Sequence, residues 1–200
     1  MNQVLMRSGR KAPARHGAAG GTFWAAALAR AALAVVVCAG GLAACSPALD
    51  WRQLRPDGWG ILVSLPCRPA SQARPVPLAG PPVELLLMAC SADGHTFAIA
   101  SADMADPARV GPALQALGAA ALANVRGQVE AEQPAAVPGM TPQPAARRWW
   151  VRGQRPDGTA VREQVLVFAH GLRVFQATVV GPVADDAHAR PFLESIEGAR

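Results

Sequence analysis

Few side chains in this chain can act as nucleophile, general base or metal ligand, and their spacing argues for little chemistry. There are four cysteines, Cys38, Cys45, Cys67 and Cys90, and four histidines, of which His95, His170 and His188 lie beyond Cys45. A metal site needs several such groups to converge, usually with a carboxylate, and no HxH or HExxH spacing occurs. His95 and His170 fall in expected hairpin turns and His188 in the last expected helix. They read as solvated histidines, with no metal site and no cofactor expected. A hydrolase needs serine, histidine and an acid in one cleft with an oxyanion hole. The serines from position 46 onward are Ser46, Ser64, Ser71, Ser91, Ser101 and Ser195, none in a G-x-S-x-G elbow. Ser91, Asp93 and His95 are sequence neighbours, but a tight turn rarely assembles a triad. Glu84 and Asp103 could pair only if a sheet placed them together. No glycine-rich phosphate loop is present. No catalytic residue is assigned, and a non-enzymatic protein is expected.

Aromatic side chains offer recognition rather than catalysis. Trp149 and Trp150 are adjacent in an expected strand, so they point to opposite faces. One belongs in the core, and the other is a candidate contact for a partner. Arg147, Arg148 and Arg152 beside them form a local cation cluster. Arginine near tryptophan can stack on the ring or meet anionic head groups. Trp149, Trp150 and Arg148 are therefore the candidate partner contacts.

The N-terminal stretch carries the clearest message. Positive charges occupy residues 1–30, and residues 31–41 are an uncharged apolar run. Small residues then lead to a cysteine, Leu42-Ala43-Ala44-Cys45. Basic region, apolar core and small residues make the pattern of a secretory signal peptide over residues 1–44. The tetrapeptide resembles the bacterial lipobox, in which a signal peptidase cuts before an invariant cysteine. The resemblance implies a diacylglyceryl thioether on Cys45 and an acyl group on its new amine. Ser46 follows where an aspartate commonly retains such proteins in the inner membrane. Its presence favours the periplasmic face of the outer membrane, with the inner membrane as the alternative. The competing reading is an uncleaved span from Phe23 to Ala44, but Arg30 interrupts it and charge inside a bilayer is costly. Translation could begin at Met1 or at Met6. Several acyl chains at ~0.8 kcal/mol per buried methylene anchor a protein lastingly. Residues 45–50 then form a tether with a reach of ~10–15 Å before the first strand.

Charge and cysteine content follow from that division. The whole chain carries +5, but five of its 19 cations (Arg7, Arg10, Lys11, Arg15 and Arg30) precede Cys45 and none of its 14 acids does. The remainder is neutral on balance. A nucleic-acid partner, which needs clustered cations, is not expected. Cys67 and Cys90 alone remain as free thiols after processing, in an oxidising compartment. Each ends an expected strand, and a disulfide between them is expected. A redox or metal-binding pair is the alternative, but there is no CxxC motif.

The elements that must hold these residues can be read in outline. Strands are expected at 51–55, 59–65, 83–90, 96–101, 148–154, 161–168 and 172–180, with Pro56-Asp57-Gly58, residues 91–95, residues 155–158 and His170-Gly171 as turns. Residues 68–82 read as a connecting loop, and 131–146 as a loop or weak strand followed by a loop. A helix starts at Pro107 under an Asp106 cap and carries Val110, Leu114, Leu117, Ala121 and Leu122 at helical spacing. Gly127 is its expected stop, and Gly111 and Pro112 weaken its first turn. A last helix starts at Asp185 or Asp186, is limited by Pro191, and offers Phe192, Leu193 and Ile196 as its apolar face. The Arg-Pro-Asp-Gly string at 55–58 and 155–158 is common turn chemistry, not a repeat.

Short connections make neighbouring strands antiparallel. The fold class expected for residues 51–198 is therefore α+β, an antiparallel sheet of about six strands with two helices packed on it. Gly58-Trp59-Gly60 leading into Leu65-Pro66, the helix from Pro107, the 148–180 hairpins and Phe192-Leu193-Glu194-Ser195-Ile196 loosely resemble the PsbP/Mog1-like class over residues 51–196. That resemblance implies a binding or envelope-assembly role and transfers no catalytic residue. A small-ligand or metal carrier is the alternative, and an envelope hydrolase a more distant one.

Overall fold

A computed structural model describes residues 49–199. The expected signal peptide over residues 1–44 and the expected lipidation site Cys45 lie outside the described residues. Ten strands and two helices follow one another: β1 (Arg52–Leu54), β2 (Ile61–Leu65), β3 (Ala70–Pro77), β4 (Pro82–Ala92), β5 (His95–Asp103), α1 (Pro107–Asn124), β6 (Gln128–Pro134), β7 (Arg147–Gln154), β8 (Ala160–His170), β9 (Arg173–Gly181), α2 (Asp186–Leu193) and β10 (Glu197–Gly198). The main sheet has seven strands in the order β3-β4-β5-β9-β8-β7-β6, and a second sheet has three in the order β1-β2-β10. All pairings are antiparallel. No described helix is long and apolar enough to cross a membrane.

Cross-strand partners share a sheet face. The pairs Ile99↔Ala177 and Leu166↔Ala177, with Phe168↔Phe175, put these residues on one face. That face receives α2 and the small sheet: Phe97 meets Phe192 edge-on with ring centroids 5.8 Å apart, and Trp59 lies 5.9 Å from Phe175. The opposite face carries Trp149, Val165 and Thr178 and receives α1, which packs on β8 and β9. Its buried stripe is Val110, Ala113, Leu114, Leu117, Gly118 and Ala121. Gly118 is there for close approach, since a Cβ on it would lie 2.6 Å from the Trp149 ring. Covered on both sides, the middle of β8 is buried residue after residue from Glu163 to Ala169.

Both helices begin where the capping residues place them. The Asp106 carboxylate accepts from the Ala108 N–H at 2.8 Å, and that of Asp185 accepts from the His188 N–H at 3.2 Å. Helix α1 runs through Pro112. It ends differently from the expectation that Gly127 stops it. Arg126, at φ 48°, is the left-handed residue. Its N–H donates to the Ala123 carbonyl and that of Gly127 to the Leu122 carbonyl, the paired bonds of a Schellman end. Gly127 therefore sits one position past the left-handed residue, where a Cβ would overlap Val151.

Two further expectations need correction. Residues 68–82 are not simply a loop: they contain β3. The weak strand of 131–146 starts earlier, as β6. Both are edge strands of the main sheet and almost wholly exposed. Such a strand carries no in–out alternation, and an edge tolerates proline. The expected six strands become ten in two sheets, so strand outweighs helix within the expected antiparallel arrangement.

The expected disulfide is present, joining Cys67 to Cys90 with Cα atoms 5.9 Å apart. It ties the end of β2, in the small sheet, to β4 in the main sheet. A sequence separation of 23 corresponds to ~3 kcal/mol in the chain-entropy account. The double variant Cys67→Ala/Cys90→Ala should lose about that much in equilibrium urea unfolding.

Glu163 is an ionisable group in the core, 4% exposed. It faces α1 between its cross-strand partners Val151 and Val180, and its Oε2 has no hydrogen-bond partner. Burial pushes its carboxyl from 4.5 up to about 7. The folded form thus keeps the proton longer than the unfolded chain does. Its contribution is fully present below pH 4.5 and is lost as the pH rises through about 7. A shift of this size corresponds to about 3 kcal/mol. Thermal unfolding should show stability falling from pH 5 to pH 8, and Glu163→Gln should flatten that fall and be the more stable protein at pH 8.

Candidate functional site

Four constellations drawn from the sequence can be placed on this frame. The candidate partner contacts are largely engaged within the fold. Arg148, 9% exposed, lies on the α2 side of β7. Its Nε and Nη2 donate to Gln164 Oε1 at 3.2 and 2.6 Å. Its Nη2 lies 3.5 Å from Asp186 Oδ1, and its guanidinium carbon sits 4.7 Å above the Trp150 ring. The Trp150 indole N–H and the Gln164 amide each donate to the same Asp186 oxygen at 3.1 Å, and the amide also donates to the Ala184 carbonyl at 3.1 Å. The indole bond first, then Gln164 and Arg148, holds the Asp186 carboxyl below its usual range. Burial pushes the Arg148 guanidinium below its ordinary value, against the attraction of Asp186 and Glu194. This network fastens the first turn of α2 to strands β7 and β8. On the opposite face half-buried Trp149 packs over Gly118, and its N–H donates to Glu132 at 3.1 Å.

The Ser91–Asp93–His95 neighbours form no triad. Ser91 Oγ is 3.1 Å from Thr96 Oγ1, while His95 Nδ1 is 2.6 Å from the Asp93 backbone oxygen. Glu84 and Asp103 do not pair either. The β4–β5 ladder ends at Leu86↔Ser101, and Asp103 faces Arg173 at 3.5 Å.

His95 is not the exposed loop residue expected. The hairpin loop is shorter, two residues only, with Asp93 and Gly94 at φ 49° and 72°, as a type I′ turn demands. Strand β5 therefore starts at His95, and strand parity puts its ring on the face of Phe97 and Ile99, 4% exposed. Its ring stacks on that of His188, centroids 4.4 Å apart. The alternation of His95, Phe97 and Ile99 was the available signal, and the assumption of a five-residue loop hid it. His170 ends β8, its Nδ1 2.9 Å from the Gly139 carbonyl.

A groove that no residue pattern announced lies on the α2 side of the main sheet, between the turn before β2 and strands β3 and β4. It holds about 360 Å³ and is walled by Pro56, Trp59, Ser71, Ala73, Leu86 and Met88. Strand β3 is the open edge beside it. Pro75 and Pro77 carry no N–H, so an intact ladder to β4 requires their parity to face outward. The outward N–H groups of β3 are then those of Ser71 and Ala73, next to the groove, while the prolines blunt the other half.

Comparisons with known proteins do not name a family. No family model matches the chain, and no curated protein matches it. Among solved structures, a Pseudomonas aeruginosa protein of unknown function is similar over 70% of this chain and 89% of its own. It is 15% identical, with a TM-score of 0.39, and carries neither fold family nor function to this chain.

Replacing Arg148 with Met would strand the buried Gln164 oxygen. Leaving a buried polar atom unmade costs about 2 kcal/mol. Arg148→Met should lose that much in urea unfolding, and Arg148→Lys should recover only part of it, since lysine lacks the two-pronged fork.

Proposed function

We propose that this protein is a lipid-anchored, non-enzymatic binding module of the bacterial envelope. In this reading Cys45 bears the acyl chains, the domain sits at the periplasmic face of the outer membrane, and its groove takes an extended segment of an envelope protein partner. The observation that carries the reading is the placement of an apolar groove beside the free half of a sheet edge. Backbone groups at Ser71 and Ala73 can add a strand, and Trp59, Leu86 and Met88 can take its alternate side chains. Main-chain bonds with side-chain pockets are the pattern of strand addition. The likeness to PsbP/Mog1-like proteins, a class of binding and assembly domains, agrees with this use. So does the engagement of Arg148, Trp149 and Trp150 within the fold, which leaves the groove as the better recognition surface.

A photo-crosslinking residue in place of Ala73, on the groove edge, tests the reading against one in place of Glu132, on the opposite edge. The Ala73 probe should give a discrete protein adduct in cells and the Glu132 probe should not. Met88→Glu would bury a charge in the groove and should weaken that adduct by about tenfold or more. Equal labelling from both edges, or an Ala73 adduct indifferent to Met88→Glu, would remove the groove from the account.

A further inference from the structure

We propose that Asp93, His95 and His188 form a binding site for a divalent transition-metal ion, zinc(II) being the type case. The site lies where the β4–β5 turn meets the first turn of α2. One potential ligand atom from each of the three residues lies within 4.8 Å of the others. Each ring already has the outer Nδ1 partner that a metal-bound histidine keeps. His188 Nδ1 is 2.6 Å from Asp185 Oδ1, and His95 Nδ1 is 2.6 Å from the Asp93 carbonyl oxygen. An Nδ1–H donated to a carboxylate or a backbone carbonyl fixes the tautomer whose Nε2 bears the lone pair, the usual outer partner of a metal-bound histidine.

The surroundings of His95 Nε2 supply the second observation. It lies 3.0 Å from the carbonyl oxygen of Val183. With Nδ1 donating to Asp93, a neutral ring has no proton left for this contact. Two lone pairs then face each other across this contact, and a cation between them removes the repulsion. Metal–nitrogen distances of ~2.0–2.1 Å and metal–oxygen distances of ~2.0–2.2 Å place neighbouring ligands on one ion about 3 Å apart, the spacing seen here. The fold also makes room for this ring: a Cβ on Gly181 would overlap it.

Ligand chemistry selects the class of ion. Two imidazoles with one carboxylate suit zinc, nickel or copper better than magnesium or calcium, which prefer all-oxygen sites. The positive end of α2 opposes a cation, but Asp185 and Asp186 in its first turn offset that field. Closing on an ion requires the stacked rings, now 24° apart in plane, to turn so that both Nε2 atoms converge. His188, on a short helix and half-buried, is the one free to do so. A bound ion would clamp the β4–β5 turn to α2, on the same side of the sheet as the Arg148 network. The competing account is a His95 ring protonated on both nitrogens and donating to both carbonyls, with no ion involved.

The two accounts part in a titration of the full chain, purified with a histidine-free tag and stripped with chelator, against zinc chloride alone. Calorimetry should show one ion bound per chain, with a rise in Tm on addition. His188→Ala should remove that binding event while leaving the metal-free Tm close to that of the wild type. Asp185→Asn, which touches no ion, keeps a side chain able to cap α2 and loosens the hold on the His188 ring, should weaken affinity by about 10–100-fold. A wild-type chain that binds no zinc overturns the proposal. So does a His188→Ala chain that titrates like the wild type, which would place the ion elsewhere.

Discussion

The central strands of this sheet are buried on both faces, and that constraint governs the rest of the molecule. A seven-stranded antiparallel sheet whose middle residues are apolar on both sides needs a cover for each. Helix α1 supplies one, and it can come close because Gly118 leaves room for Trp149. The other is assembled from pieces distant in sequence: the small sheet of β1, β2 and β10, and the short helix α2. The disulfide Cys67–Cys90 ties down the first, and Arg148, Gln164 and Asp186 fasten the second.

Both proposed sites lie on the assembled side for the same reason. A continuous helix covers the middle of its face in one piece. A cover made of separate segments leaves a seam at each margin. The groove lies at one seam, where the Pro56–Trp59 turn fails to reach the edge strand. The His95–His188 pair lies at another, where α2 meets the β4–β5 turn. The buried Glu163 belongs to the opposite face, under α1, where it is a liability to stability with no partner to offset it.

What could be read from the sequence divides along the same physical line. Local rules found the caps at Asp106 and Asp185, the hairpin around Asp157-Gly158, and the strands whose residues alternate. The two cysteines proposed as partners are bonded. Edge strand β3 escaped and β6 was seen only as a weak strand with a late start, because a strand solvated on both faces has no pattern to betray it. Arg148 read as a candidate partner contact since nothing local announces that Gln164 will meet it 16 residues later. His95 was misplaced by a loop assumed three residues too long. The groove and the histidine pair depend on which segments cover the sheet, and no local rule states that.

The account of what the protein does rests on its being held at a membrane by lipid on Cys45. Metabolic labelling with a radioactive or clickable fatty acid, followed by mapping of the N-terminus, tests this most directly. The account predicts a labelled protein whose chain begins at Cys45, and no label in Cys45→Ala. An unlabelled protein that retains its initiator methionine would contradict it.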